Sequence, residues 1–231
     1  MRSDRALGFS QRMSAHNSPE QFRGKSSGGD ELKEPFAKFI GAKLGSGALF
    51  ITCGLPVTGK TRMSQEISRI KGYPIVRTDV IRREVLKNED IFDEKVASDM
   101  DKRMMVYNKA LQQAEEIVGK GDGVIIDATF FTQPLRRRAA AIAAKHNQVF
   151  VILQTQCPRA IAIERILRRT RENYESNALT EQAYINNEKA FEKVDLDDLK
   201  RSNPNLDIVH LIVDTEYDAP KDWYIVGIEE I

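Results

Sequence analysis

The chain has 231 residues, 41% of them hydrophobic and 30% charged. That is enough apolar material for one good core and too little length for two comfortable domains. The formal net charge of +1 gives no overall field to steer the protein toward nucleic acid or an anionic membrane. Two cysteines, Cys53 and Cys157, stand far apart and form no CxxC pair, which argues against a zinc site or a disulfide framework and suits a reducing compartment. No apolar run approaches the ~18 residues that would span a bilayer. The expected setting is the cytoplasm, with no membrane partner.

Met1 to about Asp30 is rich in Ser, Gly, Arg and Gln without apolar periodicity, and reads as a disordered tail. Glu31 to Lys43 forms a short helical lead-in that offers Phe36, Phe39 and Ile40 for packing, and the main domain is expected over residues 48–231. Ala48 to Cys53 is a short apolar run, hence a buried strand. After a glycine-rich turn, Met63, Ile67 and Ile70 mark one face of a helix, and Pro74 to Arg77 makes a second strand. Tyr107, Leu111, Ala114 and Val118 recur at helical spacing, predicting a helix over 103–118.

Gly123 to Asp127 is a third strand that ends in a carboxylate. A helix over about Pro134 to Lys145 separates it from a fourth strand, Val149 to Leu153. Helices follow over about Pro158 to Arg171 and Thr180 to Glu192, then a fifth strand from Ile208 to Val213, with Trp223 to Val226 as a possible edge strand. Apolar strands alternating with amphipathic helices predict an α/β domain with a parallel sheet covered on both faces. Ligands in such sheets sit beyond the carboxyl ends of the strands.

One segment carries chemistry outright. Gly54-Leu55-Pro56-Val57-Thr58-Gly59-Lys60-Thr61 matches G-x-x-x-x-G-K-[ST] at every defined position. The glycines permit backbone angles and a close approach that a β-carbon would obstruct. The loop N–H groups and the following helix N-terminus then hold phosphate oxygens. Lys60 can reach the β- and γ-phosphates of ATP, and the Thr61 hydroxyl can bind Mg²⁺. Chance produces the pattern in roughly one chain of this length per hundred, and far fewer chance matches fall between a strand and a helix.

The residues beyond this loop bear on the reaction. Asp127 is followed by Ala128-Thr129-Phe130, without the second acid a motor ATPase uses to polarise water, and no N-K-x-D guanine motif occurs. Asp79 and Arg82, three apart after the second strand, share a helix face near the phosphate loop. Asp79 fits two roles, a helix cap or a base that accepts an acceptor hydroxyl's proton. Arg82 suits an anionic or hydroxyl-rich acceptor through its forked donors. Arg165, Arg168 and Arg169 lie opposite a face of Ile163, Ile166 and Leu167. They are either a solvated face or a lid over ATP, with Arg168 and Arg169 the candidates for a catalytic role and Arg165 and Arg171 the alternatives. Arg136-Arg137-Arg138 reads as a solvated helix start.

Four stretches together carry a resemblance: G-L-P-V-T-G-K-T, T-D-V-I-R-R-E, V-I-I-D-A-T-F and E-R-I-L-R-R. Over about Ala48 to Val213 the chain resembles the P-loop kinase-like ATP-binding proteins of bacteria, a group similar to zeta toxins, chloramphenicol phosphotransferase and the kinase domain of phage polynucleotide kinase. The resemblance implies a three-layer P-loop NTPase with strand order 2-3-1-4-5 and a helical lid after the fourth strand. It implies that Asp79 is the general base, that Arg82 contacts the acceptor, and that Asp127 sits near the metal and the acceptor. ATP and Mg²⁺ are the implied cofactors, and a small molecule or nucleotide sugar is the favoured acceptor. A polynucleotide 5′-hydroxyl ranks lower, because near-neutral charge and 7% aromatic residues give no stacking platform. The rival reading is a nucleotide-dependent regulatory protein that hydrolyses ATP slowly.

Overall fold

A computed structural model describes residues 33–44, 47–169 and 180–231. The tail expected over residues 1–30 and the lid residue Arg171 lie outside them. In chain order the elements are β1 (Glu34–Pro35), α1 (Phe36–Lys43), β2 (Ala48–Cys53), α2 (Lys60–Lys71), β3 (Ile75–Arg77), α3 (Thr78–Val85), α4 (Glu94–Ser98) and α5 (Met100–Val118). They continue with β4 (Val124–Asp127), α6 (Gln133–Lys145), β5 (Val149–Gln156), α7 (Arg159–Leu167), α8 (Glu181–Ala190), α9 (Leu196–Ser202), β6 (Ile208–Asp214) and β7 (Tyr224–Glu230).

The strands form one seven-stranded sheet in the order β1-β7-β6-β5-β2-β4-β3. From β3 to β6 every pair is parallel: Ile75 sits opposite Ile125, Leu49 opposite Val124, Ala48 opposite Val149 and Phe150 opposite Ile208. Numbered by their place in the chain, these five strands run 2-3-1-4-5, the order the resemblance implies. Two antiparallel strands extend them. β7 pairs with β6 and is longer than the short edge strand read from the sequence, and β1 pairs with β7.

Alternation along β2 divides the core. Leu49, Ile51 and Cys53 face a cluster built with Val106, Ala110 and Ala114 of α5 and Ala139 and Ala143 of α6. Phe50 faces the other way, onto Phe36, Phe39 and Ile40 of α1 and Met63 and Ile67 of α2. The lead-in helix is therefore part of the domain: Phe36 meets Trp223 edge to face at 6.0 Å between ring centres, and its N–H bonds the Trp223 carbonyl.

Two expectations need correction. Leu167 does not share the buried face of α7. Ala162 and Ile166 pack there against Val57 and Tyr184, whereas Leu167 is 79% exposed. Nor is Arg136 solvated. It is fully buried, donating from Nε to Phe130 O (2.9 Å), from Nη1 to Gln133 Oε1 (3.1 Å) and Lys193 O (3.1 Å), and from Nη2 to Glu192 O (2.7 Å). Its neighbours do lie at the surface, Arg137 forked onto Asp198 and Arg138 bonded to Asn108.

Candidate active site

The carboxyl ends of β2, β3 and β4 open into one cleft of about 650 Å³, lined among others by Lys60, Thr61, Asp79, Arg82 and Asp127. Gly54, leaving β2, adopts φ 134°, and a β-carbon on it would lie 2.7 Å from both the carbonyl and the hydroxyl oxygen of Thr155. Only glycine fits between the loop and β5. Gly59 turns the chain into α2 at φ 85°. Between them Val57 is held at φ 63°, a conformation that branched side chains strongly disfavour. The surroundings over-determine it. Thr58 Oγ1 bonds Leu55 O (2.8 Å) and Thr155 Oγ1 (2.5 Å), Thr215 Oγ1 donates to Thr58 O (2.8 Å), and Arg165 Nη1 donates to Val57 O (3.4 Å).

Lys60 folds back along the loop, its Nζ donating to Gly54 O (3.0 Å) and Leu55 O (2.6 Å). Desolvation brings its pKa down to about 8, against the favourable charge of Asp127 and with the repulsion of Arg169. An ammonium held at that cost has most to gain from an incoming phosphate.

Asp127 closes β4. It is 7% exposed, and desolvation raises its carboxyl pKa, opposed by a hydrogen bond from Thr61 and by the charges of Lys60 and Arg77, while the Asp79 charge adds to the rise. Thr52 Oγ1 shares its proton between Asp127 Oδ1 (3.4 Å) and Ala128 O (2.8 Å), and Thr78 Oγ1 donates to Asp127 O (3.0 Å), so these two hydroxyls fix the strand end. The Thr61 hydroxyl paired with the Asp127 carboxylate is an oxygen donor set that fits Mg²⁺. Among the described residues no group of three or more His, Cys, Asp or Glu side chains could hold a metal unaided. A hard cation here would complete its shell from phosphate oxygens and water.

Asp79 lies within the first turn of α3, and Arg77, not Asp79, takes the cap position. Its carboxylate is close enough to influence both Lys60 and Asp127. One turn on, Arg82 is 8% exposed, and its Nε and Nη1 are withdrawn from water with no hydrogen-bond partner. Of the arginines after β5, Arg165 is a brace, donating from Nη2 to Thr215 O (2.8 Å) and Glu216 O (3.0 Å) and pairing with Asp218. Arg168 is exposed and paired with Glu164, while Arg169 lies near enough to Lys60 to oppose its charge. Both line the cleft, as do Thr180, Ala183, Asn186 and Asn187 at the start and along the face of α8.

Sequence reading passed over Arg103 and the polar end of Tyr107. The two are four residues apart on α5 and both line the cleft, but Tyr107 looked like one more apolar position in a helical stripe. Its hydroxyl instead accepts from Phe130 N (3.0 Å).

A phosphate loop leaving the central strand, a hydroxyl–carboxylate pair at its base and a 2-3-1-4-5 parallel sheet define a P-loop nucleotide-binding domain of the small-kinase type. The chain belongs to the AAA_33 family of AAA domains, whose model matches residues 49–193. It is similar in fold to a gluconokinase from Sinorhizobium meliloti 1021 (15% identity, TM-score 0.51, covering 74% of this chain and 83% of that one). It is likewise similar to a sugar kinase from Janibacter sp. HTCC2649 (12% identity, TM-score 0.52, covering 72% and 85%). In sequence it is 26% identical over 136 residues to uncharacterized proteins of Mycobacterium bovis and Mycobacterium tuberculosis. That match covers 56% of this chain and 27% of those relatives, so the chain spans about a quarter of their length. No helix among the described residues is long and apolar enough to cross a membrane.

Proposed function

We propose that the domain transfers the terminal phosphate of Mg-ATP to an alcohol hydroxyl of a small-molecule acceptor. The observation that carries this reading is Asp79: a carboxylate on the first turn of α3, in the same cleft as Lys60 and Asp127, with the unsatisfied Arg82 one helical turn behind it. The two structural neighbours described above are by name a gluconokinase and a sugar kinase, which supports an acceptor of that size.

The positions support the following roles. The loop from Gly54 to Thr61 cradles the phosphates with its N–H groups, and Lys60 exchanges its two carbonyl partners for phosphate oxygens. Thr61 and Asp127 would hold Mg²⁺, which supplies charge neutralisation across the β- and γ-phosphates. Asp79 orients the acceptor hydroxyl and takes its proton as the new O–P bond forms and the bond from the γ-phosphorus to the bridging oxygen breaks, leaving ADP. Arg82 grips the acceptor. Arg169, with Arg168 beside it, covers the transferring group from the α7 end.

The test is ADP release by the full chain with Mg-ATP, alone and with pools of sugars, nucleosides, nucleotide sugars and 5′-hydroxyl oligonucleotides. One pool should raise turnover in the wild type, and Asp79→Asn should lose that stimulation by about 10²–10⁴-fold while retaining nucleotide affinity. Slow turnover that no pool raises and Asp79→Asn leaves unchanged would refute the kinase reading in favour of a nucleotide-dependent regulator. Stimulation by oligonucleotides alone would replace the small molecule by a nucleic acid.

A further inference from the structure

Besides the phosphate loop, the cleft is lined by residues of α3, of the α4–α5 corner and of the segment after β4. Two cations meet there. Arg82 comes from α3, and Arg103 from the first turns of α5. Arg103 anchors its Nε on Ala97 O (2.8 Å) and lies over the Phe131 ring at 5.3 Å, so its orientation is fixed by neutral groups. Desolvation lowers the Arg103 pKa, and the positive charge of Arg82 lowers it further.

Among the described residues no carboxylate is paired with either of them. Arg82 keeps two buried N–H donors unused. Among the described residues neither guanidinium has a carboxylate within ion-pair distance, and Asp79, on the same helix as Arg82, forms no salt bridge with it. Tyr107, between them and the core, is pushed up to about 12 by burial and stays neutral. Two adjacent cations held partly from water without a counter-charge are strongly unfavourable in a folded protein. A dianion that accepts from both forks relieves that cost, and guanidinium geometry suits a tetrahedral oxyanion bidentately.

We propose that Arg82 and Arg103 form a clamp for a tetrahedral oxyanion carried by the acceptor, a phosphate-monoester dianion or a sulfate-ester monoanion, so that the substrate is an already esterified alcohol with a second, free hydroxyl presented to Asp79. The identification of the bound molecule as the acceptor rests on the kinase reading. The anion site itself does not. Arg103 thereby becomes a specificity-determining residue, with Phe131 as its platform.

The deciding measurement keeps the γ-phosphate position filled. The full chain is saturated with a non-hydrolysable Mg-ATP analogue, then titrated calorimetrically with inorganic phosphate and with sulfate against chloride of equal ionic strength. Wild type should bind one further oxyanion. Arg103→Gln should weaken that binding about tenfold or more, Arg103→Lys should recover it only in part, and Arg83→Gln, on the exposed side of α3, should leave it intact. No oxyanion binding beyond the chloride control overturns the clamp, as does binding that disappears once the analogue is present, because the arginines would then belong to the nucleotide site. Because the wild-type titration decides the matter alone, a variant that fails to fold does not rescue it. Paired pools of polyols and their monoesters separate the two readings: an oxyanion bound without any stimulated turnover keeps the clamp and removes the kinase, and turnover on uncharged polyols without oxyanion binding does the reverse.

Discussion

Arg136 is a residue whose loss should cost the fold heavily. Arg136→Ala strips a donor from Phe130 O, Lys193 O, Glu192 O and Gln133 Oε1, of which Phe130 O keeps the Cys53 thiol and Gln133 Oε1 keeps the Asp195 N–H, and it also removes a guanidinium lying 5.2 Å from the Phe191 ring. Each buried acceptor left without a donor costs about 1–3 kcal/mol, reduced where water enters the vacated volume. The cation–π contact adds about 0.5–2 kcal/mol. Against these stands the relief of no longer burying a charge, so the net loss is about 3–5 kcal/mol, the usual range for breaking a buried charged network. In urea, at a slope of roughly 2–3 kcal/mol per molar for a domain of this size, the midpoint should fall by about 1.5 M with the slope unchanged. Arg136→Met, which preserves much of the volume but none of the donors, should fall nearly as far. A loss under about 1 kcal/mol for Ala, or a neutral Met variant, would refute the reasoning that the bonds to residues 192–193 tie that segment to α6.

Two further predictions concern the loop. Gly54→Ala places a methyl 2.7 Å from the Thr155 carbonyl at φ 134°, so the strand end must shift; nucleotide affinity should fall by about 100-fold and stability by about 2–3 kcal/mol, checked by calorimetry and thermal unfolding. Lys60 has a folded pKa of about 8 against 10.5 for the free side chain, so the folded chain holds fewer protons between those values and its stability rises with pH across that window. Nucleotide phosphates favour the charged ammonium, so binding should take up a proton above pH 8, and affinity should fall by up to tenfold per pH unit there while staying flat below about 7.5. Lys60→Arg should abolish the slope, and a wild-type affinity that is constant to pH 9.5 would show that Lys60 carries no such linkage.

The parts of this molecule that were legible in the sequence are those in which a local pattern and a backbone requirement coincide. Gly54 and Gly59 mark positive φ, and Ala48 to Cys53 and Gly123 to Asp127 are short apolar runs bounded by glycine that read as buried strands, the second ending in Asp127. Residues whose meaning depends on distant chain were misread or missed. Arg136 looked like one of three solvated arginines because its acceptors lie at 130 and at 192–193, nearly sixty residues away in the second case. Leu167 fitted a helical wheel but sits at the end of α7, past the last packed turn. β1 has only two residues and no pattern of its own; it exists because Trp223 O receives the Phe36 N–H and β7 supplies an edge.

The balance of charge explains why a near-neutral chain contains so cationic a cleft. Lys60, Arg82, Arg103 and Arg169 converge on a space that Asp79 and Asp127 offset only in part. The braces are spent elsewhere: Arg165 satisfies carbonyls around the loop and Arg136 satisfies those beneath α6. What separates the two kinds of arginine is therefore partners, not burial, since Arg136 and Arg82 are both buried and only Arg82 has idle donors. Positive charge in the cleft falls in two groups, one at the phosphate loop and one at the α3–α5 end, with Asp79 near the loop group on the same helix as Arg82. An acceptor bearing its own anion would be held at the far group by the arginines and presented by its hydroxyl to the carboxylate.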